Sequence, residues 1–236
     1  MDGEDGDDFG HGARREPIFL MPPMIMALIA LPIAIVAMRS FLGPSADETF
    51  VYTFGFVPAR YGALDEIGLW PGGIGAAVWT FLTHAFLHEG WAHVLINAAM
   101  FAALARPVSA RLGTARFSAF LLFATVCGAL GHLAVAWGSI APMIGASGTV
   151  SGLLGALLRF VFAGPWARTP SVVESLGEPR VRGAVTALVL ANVVLVFFGS
   201  GLVGGEGGGI AWGAHLGGFL AGFLGLSLFE PDHRAR

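Results

Sequence analysis

Three short stretches of this 236-residue chain carry side chains suited to acyl-transfer chemistry. The first is Gly145-Ala146-Ser147-Gly148, where a glycine-containing loop runs into an apolar helical pattern. Ser147 can act as a nucleophile only with a base beside its hydroxyl. Without one, a serine here is a helix N-cap or a small residue at a helix contact. The second stretch, Gly213-Ala214-His215-Leu216-Gly217-Gly218, offers that base. An ionisable group in so apolar a segment is costly to bury and marks a functional site by default; the plainer reading is an imidazole satisfied by a carbonyl or by water. Glycines on both segments let their helices approach closely enough for His215 to reach Ser147. No Asp or Glu lies in the spans that hold these residues, so a dyad is expected rather than a triad.

The third stretch contains His93 and Asn97, four apart and therefore on one helix face. Both can donate hydrogen bonds to a developing oxyanion, and both can equally serve as polar glue between helices. His88-Glu89-Gly90-Trp91-Ala92-His93 looks like a zinc-protease motif, but its histidines stand at i and i+5 rather than i and i+4. No metal and no cofactor is expected. His84 and His88, four apart, are read as stabilising either the loop before this helix or the start of the helix itself, and His132 as structural. Cys127 is the one cysteine, which excludes an internal disulfide.

These residues need a scaffold, and composition says which. The chain is 55% hydrophobic and 12% charged, against about 25% charged in an ordinary soluble domain. With a mean hydropathy of +0.73, it reads as an all-α polytopic membrane protein. Six spans are expected, over 17–38, 90–106, 117–137, 147–163, 184–198 and 210–229. Residues 1–16 read as a polar tail, 39–75 as a long outer loop, 17–230 as the membrane domain, and 231–236 as a second tail. Arg159 is expected to snorkel from the inner end of the fourth span. The chain has no lysine. With the N-terminus inside, eleven arginines fall on the cytoplasmic side and two, Arg39 and Arg60, outside. That bias places both termini in the cytoplasm. The second, fourth and sixth spans then all enter from the outer face, and their first turns hold His93 and Asn97, Ser147, and His215. At about 1.5 Å per residue these groups share a depth of roughly 10 Å.

Taken together, these motifs give the chain a resemblance to the rhomboid intramembrane serine proteases. The resemblance rests on Gly145-Ala146-Ser147-Gly148, on Ala214-His215-Leu216-Gly217-Gly218, and on His93-Val94-Leu95-Ile96-Asn97 preceded by Thr83-His84-Ala85-Phe86-Leu87-His88. It covers about residues 50–230. It implies a rhomboid-like bundle in which Ser147 is the nucleophile and His215 its base. His93, Asn97 and the Ser147 backbone N–H would then hold the oxyanion. The chain departs from the family pattern at Thr80, Ser109 and Ser151, where an Arg, a Glu and a Tyr are common. None of the three is a reacting group.

The resemblance further implies substrates that are membrane proteins with helix-weakened transmembrane segments, since a helix hides its carbonyls in hydrogen bonds. The lipid bilayer is the other partner, and no nucleic acid is expected. Abundant Arg, Ala and Gly without lysine suggest a bacterial plasma membrane, with the site near its outer face. The glycine-rich stretch 199–209 reads either as a mobile lid or as a plain connection. Two rival functions stand beside the protease: a non-catalytic membrane chaperone or scaffold of similar fold, and a transporter or proton relay using His93 and His215.

Overall fold

The computed structural model describes residues 21–62, 70–163, 167–202 and 211–231, and all of the following concerns those residues. They fold into nine α-helices: α1 (Pro23–Arg39), α2 (Pro44–Phe54), α3 (Gly73–Thr83), α4 (Trp91–Leu112), α5 (Thr114–Val135), α6 (Ser147–Phe160), α7 (Val172–Gly177), α8 (Pro179–Leu202) and α9 (Trp212–Gly225). Short 3-10 turns follow at Pro58–Tyr61, His84–Phe86 and Leu226–Leu228. No strand forms among them, only an isolated bridge between Phe56 and Met143. Of the described helices, α4 and α5 are long and apolar enough to cross a membrane.

Helix α6 lies at the centre. It has 14 residues, and most are buried on every side, including Gly148, Gly152, Gly155, Leu153 and Ala156. Helix α9 packs along it. A methyl group added to Gly218 or Gly222 would collide with the carbonyl of Gly148 or Gly152, so the two backbones touch with nothing between them. On its other side α9 meets α5 in the same way, through Gly217 against Cys127 and Gly213 against Gly131. Glycine is required at these crossings because any Cβ would drive the helices apart. Thr125 of α5 and Thr149 of α6 share a buried hydrogen bond of 2.7 Å. Below this, Phe101, Phe117, Phe120, Val150, Leu153 and Phe160 form the main apolar core with α1 and α4.

The described part of the expected outer loop, residues 39–62 and 70–75, holds α2, a 3-10 turn and the start of α3. Pro44 at the start of α2 has a fixed φ suited to a helix's first turn, and Asp47 adds negative charge there. Arg60 is fully buried and donates to the carbonyls of Tyr52, Pro71 and Gly73, with its guanidinium also over the Trp70 ring. It closes the segment on itself. Phe56 and Met143 exchange backbone hydrogen bonds of 3.0 and 2.8 Å, which ties this segment to the stretch that leads into Ser147.

Several boundaries differ from expectation for local reasons. The first helix begins at Pro23, the position at which proline suits a helix. The second extends through Arg106 and Pro107 to Leu112, because Arg111 is buried rather than facing water: it pairs with Glu230, reaches Ala167 and Thr169, and lies over Phe160. Gly113, at φ 74°, then turns the chain directly into α5. Arg159 does not snorkel. It is 3% exposed, donates to the carbonyls of Phe223 and Pro170, and lies over the Phe223 ring. Residues 199–202 complete α8, while 203–209 of the glycine-rich stretch lie outside the described residues, as do the N-terminal tail and 232–236. Helix α7 had no apolar signal to reveal it. It starts with a capping box in which Ser171 and Glu174 bond each other's backbone N–H, and those bonds hold the Glu174 carboxyl below its ordinary value.

Candidate active site

Ser147 opens α6, and Gly145 sets its approach. Gly145 has φ 118°, a conformation open to glycine, and an added Cβ would stand 2.9 Å from His93 Nε2. The loop is gripped from the segment before α4. Gly145 N–H donates to the His84 carbonyl at 2.9 Å, and Ala146 N–H donates to His88 Nε2 at 3.3 Å. His84 Nδ1 in turn lies 2.9 Å from the Thr80 carbonyl, and Arg39 holds the His88 carbonyl while pairing with Asp47. The two histidines read as loop stabilisers therefore clamp the residues just before the serine.

His215 comes from the first turn of α9. Its Nε2 lies 2.9 Å from Ser147 Oγ, across a separation of 68 residues. The close α6–α9 crossing makes this possible, since Gly148 abuts Ala214, the neighbour of His215. Both side chains are half-buried, so the pair is sheltered without being sealed.

His93 and Asn97 stand on α4 beside the same loop. The Glu89 N–H approaches His93 Nδ1 at 3.5 Å, which leaves Nε2 to carry the proton on the side of Gly145. The rings of His88 and His93 meet edge to face, 4.8 Å apart. Asn97 is buried and donates one N–H of its amide to the His93 carbonyl at 3.0 Å. A second N–H remains. The backbone N–H groups of Ser147 and Gly148 belong to the first turn of α6, where no intrahelical acceptor exists. His93 thus stands beside the loop that carries the serine and Asn97 lines the adjoining cavity with Ala146, while neither bonds to Ser147 itself. A cavity of about 250 Å³ adjoins this group, lined mostly by apolar side chains such as Met24, Leu28 and Phe101, with His88 and Asn97 at its edge.

The family model of the rhomboid domain matches residues 75–230. The chain belongs to the rhomboid family. A curated relative, rhomboid protease GluP of Bacillus subtilis (strain 168), is 28% identical over 209 residues, which cover 89% of this chain and 38% of that protein. The chain therefore spans well under half the length of that relative. Rhomboid membership and the apolar helices make this an integral membrane protein. The departures at Thr80 and Ser109 have local partners in this rhomboid chain: their hydroxyls donate to the carbonyls of Ala76 and Arg106.

One residue of the site escaped the sequence reading. Asn192 of α8 places its Oδ1 3.2 Å from His215 Nδ1. It is the one polar side chain between Thr186 and Ser200, a signal that was present in the sequence but attached to no motif.

Proposed function

We propose that this rhomboid is a serine endopeptidase that hydrolyses peptide bonds in or near transmembrane segments of other membrane proteins. The 2.9 Å approach of Ser147 Oγ to His215 Nε2 is the observation that carries this reading. His215 takes the hydroxyl proton as Oγ attacks the scissile carbonyl. The resulting oxyanion is held by His93, Asn97 and the Ser147 N–H. His215 then passes its proton to the leaving amine, and an acyl-enzyme on Ser147 awaits water. Water enters by repeating the same proton transfers through His215.

The proposed topology has α1, α4, α5, α6, α8 and α9 crossing the bilayer within a membrane domain of 17–230, with both termini cytoplasmic and a bacterial plasma membrane as the location. Its support is the arginine asymmetry and the length of α6. Fourteen residues reach about 21 Å, short of the roughly 30 Å hydrocarbon layer. A helix that short, ending at the inner face, starts below the outer surface. Substrates with helix-weakening residues suit such a site, because their carbonyls must leave helical hydrogen bonds to be attacked.

The test is labelling of the detergent-solubilised protein with a fluorophosphonate probe. Wild type is expected to label, and Ser147→Ala and His215→Ala are expected not to. A folded wild type that fails to label would leave the scaffold reading in its place.

A further inference from the structure

Asn192 lies in a stretch of α8 that is otherwise apolar and largely exposed. Val189, Leu190, Val193 and Val194 are each 45% exposed or more. A polar side chain in such a setting is expensive unless its groups are satisfied. Here both ends of the amide have partners. Its Nδ2 donates to the Leu188 carbonyl at 2.9 Å, within its own helix, and its Oδ1 faces His215 Nδ1 at 3.2 Å. The first bond decides the second: with Nδ2 committed to Leu188, the atom turned to the imidazole is the acceptor oxygen.

We propose that Asn192 is a positioning residue for His215, holding the Ser147–His215 dyad in register from α8. This rests on the protease reading above for its purpose, but not for its geometry. A histidine can take the Ser147 proton on Nε2 only if that nitrogen is bare, so its own proton must sit on Nδ1. Which nitrogen carries the proton is set by the bond the other one makes. Asn192 Oδ1 is an acceptor and can bond Nδ1 only when Nδ1 is protonated. It therefore selects the tautomer that leaves Nε2 facing the hydroxyl. It also fixes the ring plane, since the imidazole is held from both ends, by α6 and by α8. When the imidazolium forms, the same oxygen dipole remains against Nδ1–H, so the added charge is met without a carboxylate in the bilayer. Asn192 never touches the substrate carbonyl.

The arrangement also sets a condition on α8. Leu188 packs with Leu158, Val181, Phe219 and Phe223, whereas the turn beyond it is mostly exposed. Asn192 stands one turn past that anchored part, so its bond to His215 ties α8 to α9 beyond the apolar contacts of Leu188.

The experiment compares wild type with Asn192→Leu and Asn192→Asp. Cleavage of a transmembrane substrate is followed alongside the nitrogen NMR spectrum of histidine-labelled protein, with His215 assigned by its absence in His215→Gln. The leucine variant is expected to lose roughly tenfold to a hundredfold in kcat, the usual effect of removing an orienting partner, with KM unchanged. Its His215 signal is expected to move away from the Nδ1–H form. Aspartate keeps an acceptor at the same place and is expected to regain most of the rate. If Asn192→Leu does not fold, Asn192→Ala takes its place in the comparison. An unchanged His215 tautomer in the leucine or alanine variant overturns the proposal, whether or not the protein cleaves anything. An unchanged kcat overturns it also. A wild type that neither cleaves nor labels, yet shows Nδ1–H on His215 that depends on Asn192, would sink the protease reading and leave the Asn192–His215 geometry standing.

Discussion

The α-carbon of Gly218 on α9 sits against the carbonyl of Gly148 on α6, with no room for a single methyl group between them. Gly148 follows the serine and Gly218 lies three residues after the histidine. The contact therefore sets the distance over which Ser147 and His215 meet. Gly218→Ala is expected to cost about 1–3 kcal/mol through overpacking and to abolish fluorophosphonate labelling by separating the pair. Gly183→Ala, on α8 with open space around it, is the control. It is expected to label normally and to gain about 0.5–1 kcal/mol. Thermal unfolding in detergent, read beside labelling, checks both; normal labelling of Gly218→Ala would show that the crossing does not govern the site.

His93 and Asn97 are expected to act in the transition state. His93→Ala and Asn97→Ala should each lower kcat on the order of 10²–10³-fold, the usual effect of losing one oxyanion donor. Little change in KM is expected. Steady-state cleavage kinetics decide this, and a rise in KM at constant kcat would instead assign the two residues to substrate binding.

The clamp on the serine loop gives a separate prediction. His88→Ala leaves the part-buried Ala146 N–H without its acceptor, at a cost of about 1 kcal/mol, the ordinary net worth of such a bond. Labelling is expected to slow while the rest of the fold persists. Hydrogen exchange at residues 144–148 should accelerate in this variant, and unchanged protection there would rule the clamp out.

Arg111 and Glu230 join the C-terminal end of α4 to the chain beyond α9, and both are largely buried. Removing one partner of a buried pair strands the other charge, so Arg111→Ala is expected to destabilise by about 3–5 kcal/mol. Chemical denaturation in detergent measures this, and a change below about 1 kcal/mol, the range of surface pairs, would mean that the pair is solvated.

The Ser171–Glu174 capping box supplies a pH dependence. Glu174 has a folded value below its unfolded one, because the Ser171 backbone N–H bonds its charged form. The helix stabilisation is thus complete above the unfolded carboxylate range and is lost as pH falls through the folded value. Hydrogen exchange in residues 172–177, corrected for intrinsic rates, should show protection falling in acid for wild type and little pH dependence in Glu174→Gln.

What could be read from the sequence follows from what kind of contact carries each feature. Ser147, His215, His93 and Asn97 stand out because polar groups are rare in apolar segments, and glycine spacing signals that two helices can come close. The structure brings Ser147 and His215 together and sets His93 beside the loop before the serine, with Asn97 one turn further along α4. Asn192 was equally rare in its span but belonged to no motif, and its role depends on α8 facing α9, which no local pattern encodes. How the segment after α1 is held was not legible, because Arg60 satisfies the backbone carbonyls of Tyr52, Pro71 and Gly73, a long-range use of a residue that reads locally as a surface charge. Arg159 misled for the same reason: the carbonyls that receive it come from α9 and from the chain before α7.

The shortness of α6 has an electrostatic consequence under the proposed topology. A helix start carries roughly half a positive charge from its aligned peptides. At a water surface, counterions and solvent would largely cancel it. Held below the surface, in a medium that screens less than open water, the same half charge acts more strongly on anything formed at Ser147 than it would at a surface. Dissolved ions weaken it less at such a sheltered position. Under that topology the bilayer would serve as a partial insulator around a fixed source of field, and the site's hold on negative charge would vary less with salt than that of a surface helix end.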